Sequence, residues 1–200
     1  MKIGVLGGTF NPVHIGHLIL AEQVRCAARL EKVLFVPAHC PPHKATDEMA
    51  PDEHRLHMVQ LAVAGNPYFV VSEIELKRKG TSYTYDTMRL LCEENPGDEF
   101  HFIVGGDTVP ELPSWHRITD LLDICGFLIG DRPGHLVRWE ALEAALPSAQ
   151  VSKLRKGVVY TVPVGVASSD IRHRIRHNHT IRYLVPAKVE EYLTEHGLYK

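Results

Sequence analysis

Short apolar runs rich in β-branched and aromatic residues alternate along this chain with longer stretches in which apolar positions return every three or four residues. The first kind of pattern predicts buried strands near 2–6, 32–36, 68–74, 100–104, 125–129 and 158–162. The second predicts amphipathic helices over 16–30, 51–64, 84–94 and 115–122, with a weaker one over 139–146. Pro51 with Asp52 and Glu53 makes a good helix start, and Gly65-Asn66-Pro67 a good stop. Near the end, Ser168-Ser169-Asp170 leads into a helix over 171–176, and Pro186 opens a last helix that stops at Gly197. Strands alternating with helices in this way predict an α/β fold: a doubly wound, mostly parallel sheet with helices on both faces and a small C-terminal helical part at about 165–200. One domain over 1–200 is expected, because no linker, repeat or low-complexity segment interrupts the pattern.

In an open parallel sheet, ligands bind beyond the carboxyl ends of the strands where the strand order reverses. That rule selects five segments: 7–17 after the first strand, 37–44 after the second, 77–84 after the third, 105–107 after the fourth and 131–134 after the fifth. The two long connections, 37–50 and 77–83, are the expected substrate loops.

Composition narrows the classes. A chain of 200 residues, 44% of them hydrophobic, can bury a sizeable core. Twenty-two basic against 24 acidic residues leave a formal charge of -2, which argues against a general nucleic-acid or membrane-surface binder. Positive charge is nonetheless concentrated locally. Lys153, Arg155, Lys156, Arg172, Arg174, Arg176 and Arg182 face a single acid, Asp170, in the same stretch. A polyphosphate would suit that region, and a solvated basic face is the simpler alternative. Cys26, Cys40, Cys92 and Cys125 form no CxxC pair and read as reduced core thiols. The chain enters a strand at once and has no apolar run of ~18 residues, so a cytoplasmic, disulfide-free protein is expected. A homo-oligomer is compatible with this composition.

The strongest chemical signal is Gly7-Gly8-Thr9-Phe10-Asn11-Pro12-Val13-His14-Ile15-Gly16-His17. Two glycines allow a sharp turn and close approach to a ligand, and a helix from about residue 15 is expected to aim N–H groups and its positive end at an anion. His14 and His17, one turn apart, would project toward the same phosphate. The GxGxxG fingerprint of dinucleotide-binding dehydrogenases is absent. Of the other segments, Lys44 after Pro41-Pro42 can meet a phosphate or simply be solvated. A metal site at His39, Cys40 and His43 is disfavoured by the two prolines and by the lack of a partner pair at ligand spacing. Thr84 or Ser82 reads most simply as an N-cap. Gly105-Gly106-Asp107 ends an apolar strand, where Asp107 can accept hydrogen bonds from a ribose or base. Trp115 is either core or a stacking face beside His116. Ser168, Ser169 and Arg172 combine hydroxyls, a helix start and a guanidinium; capping explains one serine, and a polyphosphate suits the set.

Taken in order and spacing, GGTFNPVHIGH, VPAHCPPHK, GTSYTYDT, FIVGGDTVPELPSWHRITDLL, ASSDIR and RYLVPAKVEEYLTEHGLY resemble the bacterial nicotinate-nucleotide adenylyltransferases, members of the HxGH nucleotidylyltransferase superfamily with its Rossmann-like fold. The likeness spans nearly the whole chain. It implies adenylyl transfer from ATP to nicotinate mononucleotide, giving deamido-NAD and pyrophosphate in NAD biosynthesis. It implies His14 and His17 as the catalytic pair, and Gly7, Gly8, Thr9, Phe10, His14, His17, Gly105, Asp107, Ser168, Ser169 and Arg172 around ATP. Lys44, Thr84, Trp115 and His116 would receive the mononucleotide, and Mg²⁺ would arrive with ATP rather than on a protein metal site. Where the family usually has Ile-Ser-Ser-Thr, this chain has Val166-Ala167-Ser168-Ser169, so weaker side-chain assistance is expected there. The alternatives are another HxGH enzyme, such as a phosphopantetheine adenylyltransferase or a cytidylyltransferase, and a non-catalytic nucleotide-binding module.

Overall fold

The structure is a computed structural model describing residues 1–42, 48–131 and 139–200. Its elements run β1 (Lys2–Gly8), α1 (Ile15–Ala28), β2 (Lys32–Pro37), α2 (Asp52–Val63), β3 (Phe69–Val71), α3 (Ile74–Arg78), α4 (Thr84–Glu94), β4 (Glu99–Gly105), α5 (Ile118–Ile124), β5 (Gly126–Asp131), α6 (Trp139–Ala145), α7 (Ser148–Lys156), β6 (Val158–Tyr160), α8 (Ser168–Arg176) and α9 (Ala187–Glu195). A 3-10 helix, Gly106–Ser114, joins β4 to α5.

The six strands form one sheet in the order β3-β2-β1-β4-β5-β6. β1 pairs parallel with β4, β4 with β5 and β5 with β6. The chain therefore moves outward in one direction through β2 and β3 and in the other through β5 and β6, which is the doubly wound α/β arrangement expected. The order reverses beside β1 and β4, and the carboxyl ends of those two strands are where such folds take ligands.

Backbone contacts divide the chain into two compact units. One comprises Met1–Gly7, Leu20–Leu34 and Tyr83–Pro163. Its core is built on the strands: Ile3, Val5, Phe102, Ile103 and Ile129 are buried, with Leu121, Leu142 and Leu154 packed from the helices. The other comprises Gly8–Ile19, Phe35–Ser82 and Val164–Lys200. There Phe10, Val13, Phe35, Met58, Val59, Ile171 and Val189 are buried, and so, completely, is Arg55.

The pattern located most elements to within two or three residues. Three local exceptions have physical causes. The third strand stops at Val71 and Ile74–Arg78 is helical, so the connection expected over 77–83 is shorter; five residues are too few to show helical periodicity. The helix expected from 115 starts at Ile118, after Arg117 in a left-handed conformation (φ 53°). Ahead of it, Pro110 and Pro113 lie inside the 3-10 helix, because proline removes the N–H an α-helix would need. Ser148–Lys156, opened by Pro147, is a helix the pattern did not announce. The four cysteines are free, but they are not the core thiols expected: Cys26 is exposed and Cys40, Cys92 and Cys125 are half-buried. Burial pushes the Cys125 thiol up to about 12. Among the described residues no helix is long and apolar enough to cross a membrane.

Candidate active site

The loop that follows β1 is braced from all sides. The Ala38 N–H donates to the Gly8 carbonyl (2.9 Å). Thr9, Phe10 and Asn11 are buried, with Phe10 in a left-handed conformation (φ 48°) and Asn11–Pro12 cis. The guanidinium of Arg55 donates to the Thr9 carbonyl (2.8 Å) and the Ala50 carbonyl (3.0 Å), and pairs with Asp52. Asp52 also bonds Nδ1 of His39. Asn11 uses its whole amide: Nδ2 donates to the Glu48 carbonyl (2.9 Å), while Oδ1 accepts from the Ala50 N–H (2.9 Å) and the Tyr199 hydroxyl (2.5 Å). Burial pushes the pKa of Tyr199 well up, so that hydroxyl keeps its proton and donates. Nothing local in the sequence announces Asn11 or Tyr199 as struts, because their partners lie far away along the chain; Arg55 has near partners in Ala50 and Asp52, and only its bond to Thr9 is long-range.

On this loop the two histidines stack, ring centroids 3.7 Å apart at 30°, with Phe10 edge-on against His17 at 5.0 Å. His14 is 7% exposed. Its N–H donates to Nδ1 of His17 (3.2 Å), so a neutral His17 carries its proton on Nε2. The glycine between them leaves the imidazole room: a Cβ at Gly16 would stand 3.0 Å from Nδ1 of His14, tighter than ordinary contact, so the ring would have to give by a few tenths of an ångström. One expectation changes here. The N–H groups of Ile15 and His17 do not point at a ligand, since they donate to the carbonyls of Leu184 and His14 (both 3.0 Å).

The C-terminal serine–arginine element reaches the same loop. The Ser168 hydroxyl donates to the Pro12 carbonyl (2.9 Å), and Arg172 donates to the Asn11 carbonyl (3.0 Å). Ser168 is therefore a clamp and not a cap; the capping position is Ala167, whose side chain cannot cap. Ser169 lies exposed in the first turn of α8. Nε of Arg172 is buried without a hydrogen-bond partner among the described residues.

Ser82 likewise is not a cap. Its hydroxyl accepts the N–H groups of His39 (2.9 Å) and Cys40 (3.2 Å), and its own N–H donates to the Cys40 carbonyl (2.8 Å). It thus fixes the first part of the connection after β2. Lys44 and His43, further along that connection, lie outside the described residues, as do 132–134.

In the other unit, β4 ends at Gly105, and the Asp107 carboxylate folds back over it. A Cβ there would stand 2.3 Å from Oδ1 of Asp107, so only glycine lets this carboxylate lie along the strand end, where it is exposed. Gly7, at the end of β1, faces the Phe102 ring. Thr84 is the first residue of α4, whose N-cap is Tyr83. The Tyr83 ring lies 4.4 Å from that of exposed His116, and Arg117 lies over Tyr85 at 4.1 Å. Trp115 sets its edge against Phe102 (5.8 Å, 78°) and Phe127 (6.5 Å) and remains half exposed. Its ring thus packs in part against the core. Among the described residues no cluster of three His, Cys, Asp or Glu is arranged to hold a metal ion.

A doubly wound sheet, a glycine turn with two stacked imidazoles and a serine–arginine helix start define a nucleotide-transfer class of protein. The cytidylyltransferase-like family model matches residues 5–174. The chain is 45% identical to the probable nicotinate-nucleotide adenylyltransferase of Geobacillus thermodenitrificans, over 99% of this chain and 86% of that protein. It is 43% identical to the one from Geobacter metallireducens, over 100% and 98%. Among solved structures, that of Plasmodium falciparum nicotinic acid mononucleotide adenylyltransferase complexed with NaAD superposes with a TM-score of 0.77 at 18% identity, covering 99% of this chain and 97% of that one. The chain belongs to the nicotinate-nucleotide adenylyltransferase family.

Proposed function

We propose that this protein joins ATP and nicotinate mononucleotide into deamido-NAD and pyrophosphate, with His14 and His17 at the reacting phosphate. The observation that carries the reading is the stacked histidine pair, buried His14 against half-buried His17, on a loop clamped by Ser168 and Arg172. A 5′-phosphate oxygen of the mononucleotide forms a bond to the α-phosphorus of ATP. The bond from that phosphorus to the bridging oxygen breaks, and pyrophosphate leaves with the electron pair. A phosphate monoester is nucleophilic enough to need no activated serine or cysteine, so the protein contributes position and charge. His17 Nε2 and the His14 ring donate to the phosphate oxygens as negative charge builds, and backbone N–H groups at Gly8 and Thr9, with Gly7 and Phe10 shaping the turn, receive the α-phosphate. The backbone N–H of Ser168, whose hydroxyl is taken by Pro12, the hydroxyl of Ser169 and Arg172 hold the β and γ phosphates, Gly105 and Asp107 face adenosine, and Lys44, Thr84, Trp115 and His116 receive the mononucleotide.

Mg²⁺ bound to ATP would screen the leaving pyrophosphate. The side chains assigned to the phosphates are N–H and O–H donors, which fit the anion and leave the cation to the nucleotide. The protein acts in the cytoplasm on these two small molecules, without nucleic acid or membrane as partner. Pyrophosphate release tests the reading: it should require ATP and nicotinate mononucleotide together. Release with phosphopantetheine in place of the mononucleotide, or none with either, would reassign the enzyme.

A further inference from the structure

Arg172 and Arg176 stand four residues apart on α8 and converge on one carboxylate. Arg172 Nη2 lies 3.1 Å from Oε2 of Glu48, and Arg176 Nη2 lies 2.9 Å from Oε1. Each guanidinium thus takes one oxygen of the same group. This is how two arginines grip a phosphate, with a carboxylate standing where the phosphate oxygens would be. The three side chains differ in freedom. Arg172 is 18% exposed and is fixed by its bond to the Asn11 carbonyl, Arg176 is 40% exposed and Glu48 56%. The backbone of Glu48 is held separately, through its carbonyl and the Nδ2 of Asn11. The carboxylate can therefore leave by side-chain rotation alone. Hydrogen bonds from Arg176 and then Arg172 hold its carboxyl below the ordinary range, so it stays ionised near neutrality and protonation does not release the arginines.

We propose that Arg176 is a second polyphosphate-binding residue beside Arg172, and that Glu48 is an internal substitute anion which a triphosphate must displace to reach the pair. The proposal rests on the assignment of Arg172 to the phosphates made above. While the site is empty, the carboxylate neutralises two neighbouring guanidinium groups and keeps them aimed at one point. A triphosphate, with more charge and more acceptor oxygens, replaces it, and the affinity observed is lowered by the fraction of time the carboxylate occupies the pair. After transfer, the same carboxylate competes with pyrophosphate and favours its departure.

Binding of inorganic tripolyphosphate at constant ionic strength, followed by calorimetry on the full chain, tests this without depending on turnover. Glu48→Gln should bind it ~3- to 10-fold more tightly than wild type, the range expected when a competing internal state populated at roughly 70–90% is removed. Arg176→Gln should bind it more weakly by a similar factor. If Glu48 were only a structural clip, Glu48→Gln would loosen the arginines and weaken binding, which is the opposite sign. Unchanged or weaker binding by Glu48→Gln, or unchanged binding by Arg176→Gln, overturns the proposal. If instead Arg172→Gln binds tripolyphosphate as well as wild type does, the polyphosphate assignment itself fails.

Discussion

Because the backbone N–H of His14 donates to Nδ1 of His17, a neutral His17 ring carries its one proton on Nε2, and the ring's direction is set by stacking on His14 and contact with Phe10. A donor fixed in this way is worth most when charge appears on the transferred phosphate. His17→Ala should lower turnover by ~10² to 10³, the scale for loss of one oriented transition-state donor, with a smaller loss of ATP binding; near wild-type steady-state turnover would remove His17 from the chemistry. Arg172 has a different part. Arg172→Ala should raise the apparent KM for ATP more than that for the mononucleotide, and kinetics showing equal effects on both would refute its place at the polyphosphate.

At the scale of elements, the loops are held by polar side chains that bridge distant segments. Ser82 is the simplest case. Ser82→Ala leaves the N–H groups of His39 and Cys40 without their acceptor, and should cost about 1–3 kcal/mol in urea unfolding while raising KM for the mononucleotide more than for ATP. Buried Arg55 ties the Thr9 and Ala50 carbonyls to Asp52. Arg55→Ala should lower stability by about 2–5 kcal/mol, since it leaves the buried Thr9 and Ala50 carbonyls each without a donor, at about 1–3 kcal/mol apiece; a loss below about 1 kcal/mol would show that the brace is dispensable. The periodic pattern made the sheet and the longer helices legible, and the glycine turn with its two closely spaced histidines marked the loop on which the two rings stack. The struts were not legible. Asn11 meets Tyr199, and Ser168 meets Pro12, across more than 150 residues, and a hydroxyl ahead of a helix looks the same in sequence whether it caps the helix or clamps another loop. α3 is too short to show a period, and the 3-10 helix carries prolines that hide it.

For the whole molecule, the strand order places the ends of β1 and β4 at the reversal of the sheet. The first leads into the histidine loop and the second ends in the Gly105–Asp107 turn. The fold therefore explains why chemistry-bearing residues follow particular strands, whereas the choice of acceptor is, on the function proposed above, left to a few side chains. The acceptor is accordingly what most needs direct observation. Wild-type protein given ATP, Mg²⁺ and equal amounts of nicotinate mononucleotide, nicotinamide mononucleotide and phosphopantetheine should, by mass spectrometry of the products, make deamido-NAD as the dominant dinucleotide; a dominant product from either other acceptor, or no adenylylated product at all, would contradict the account.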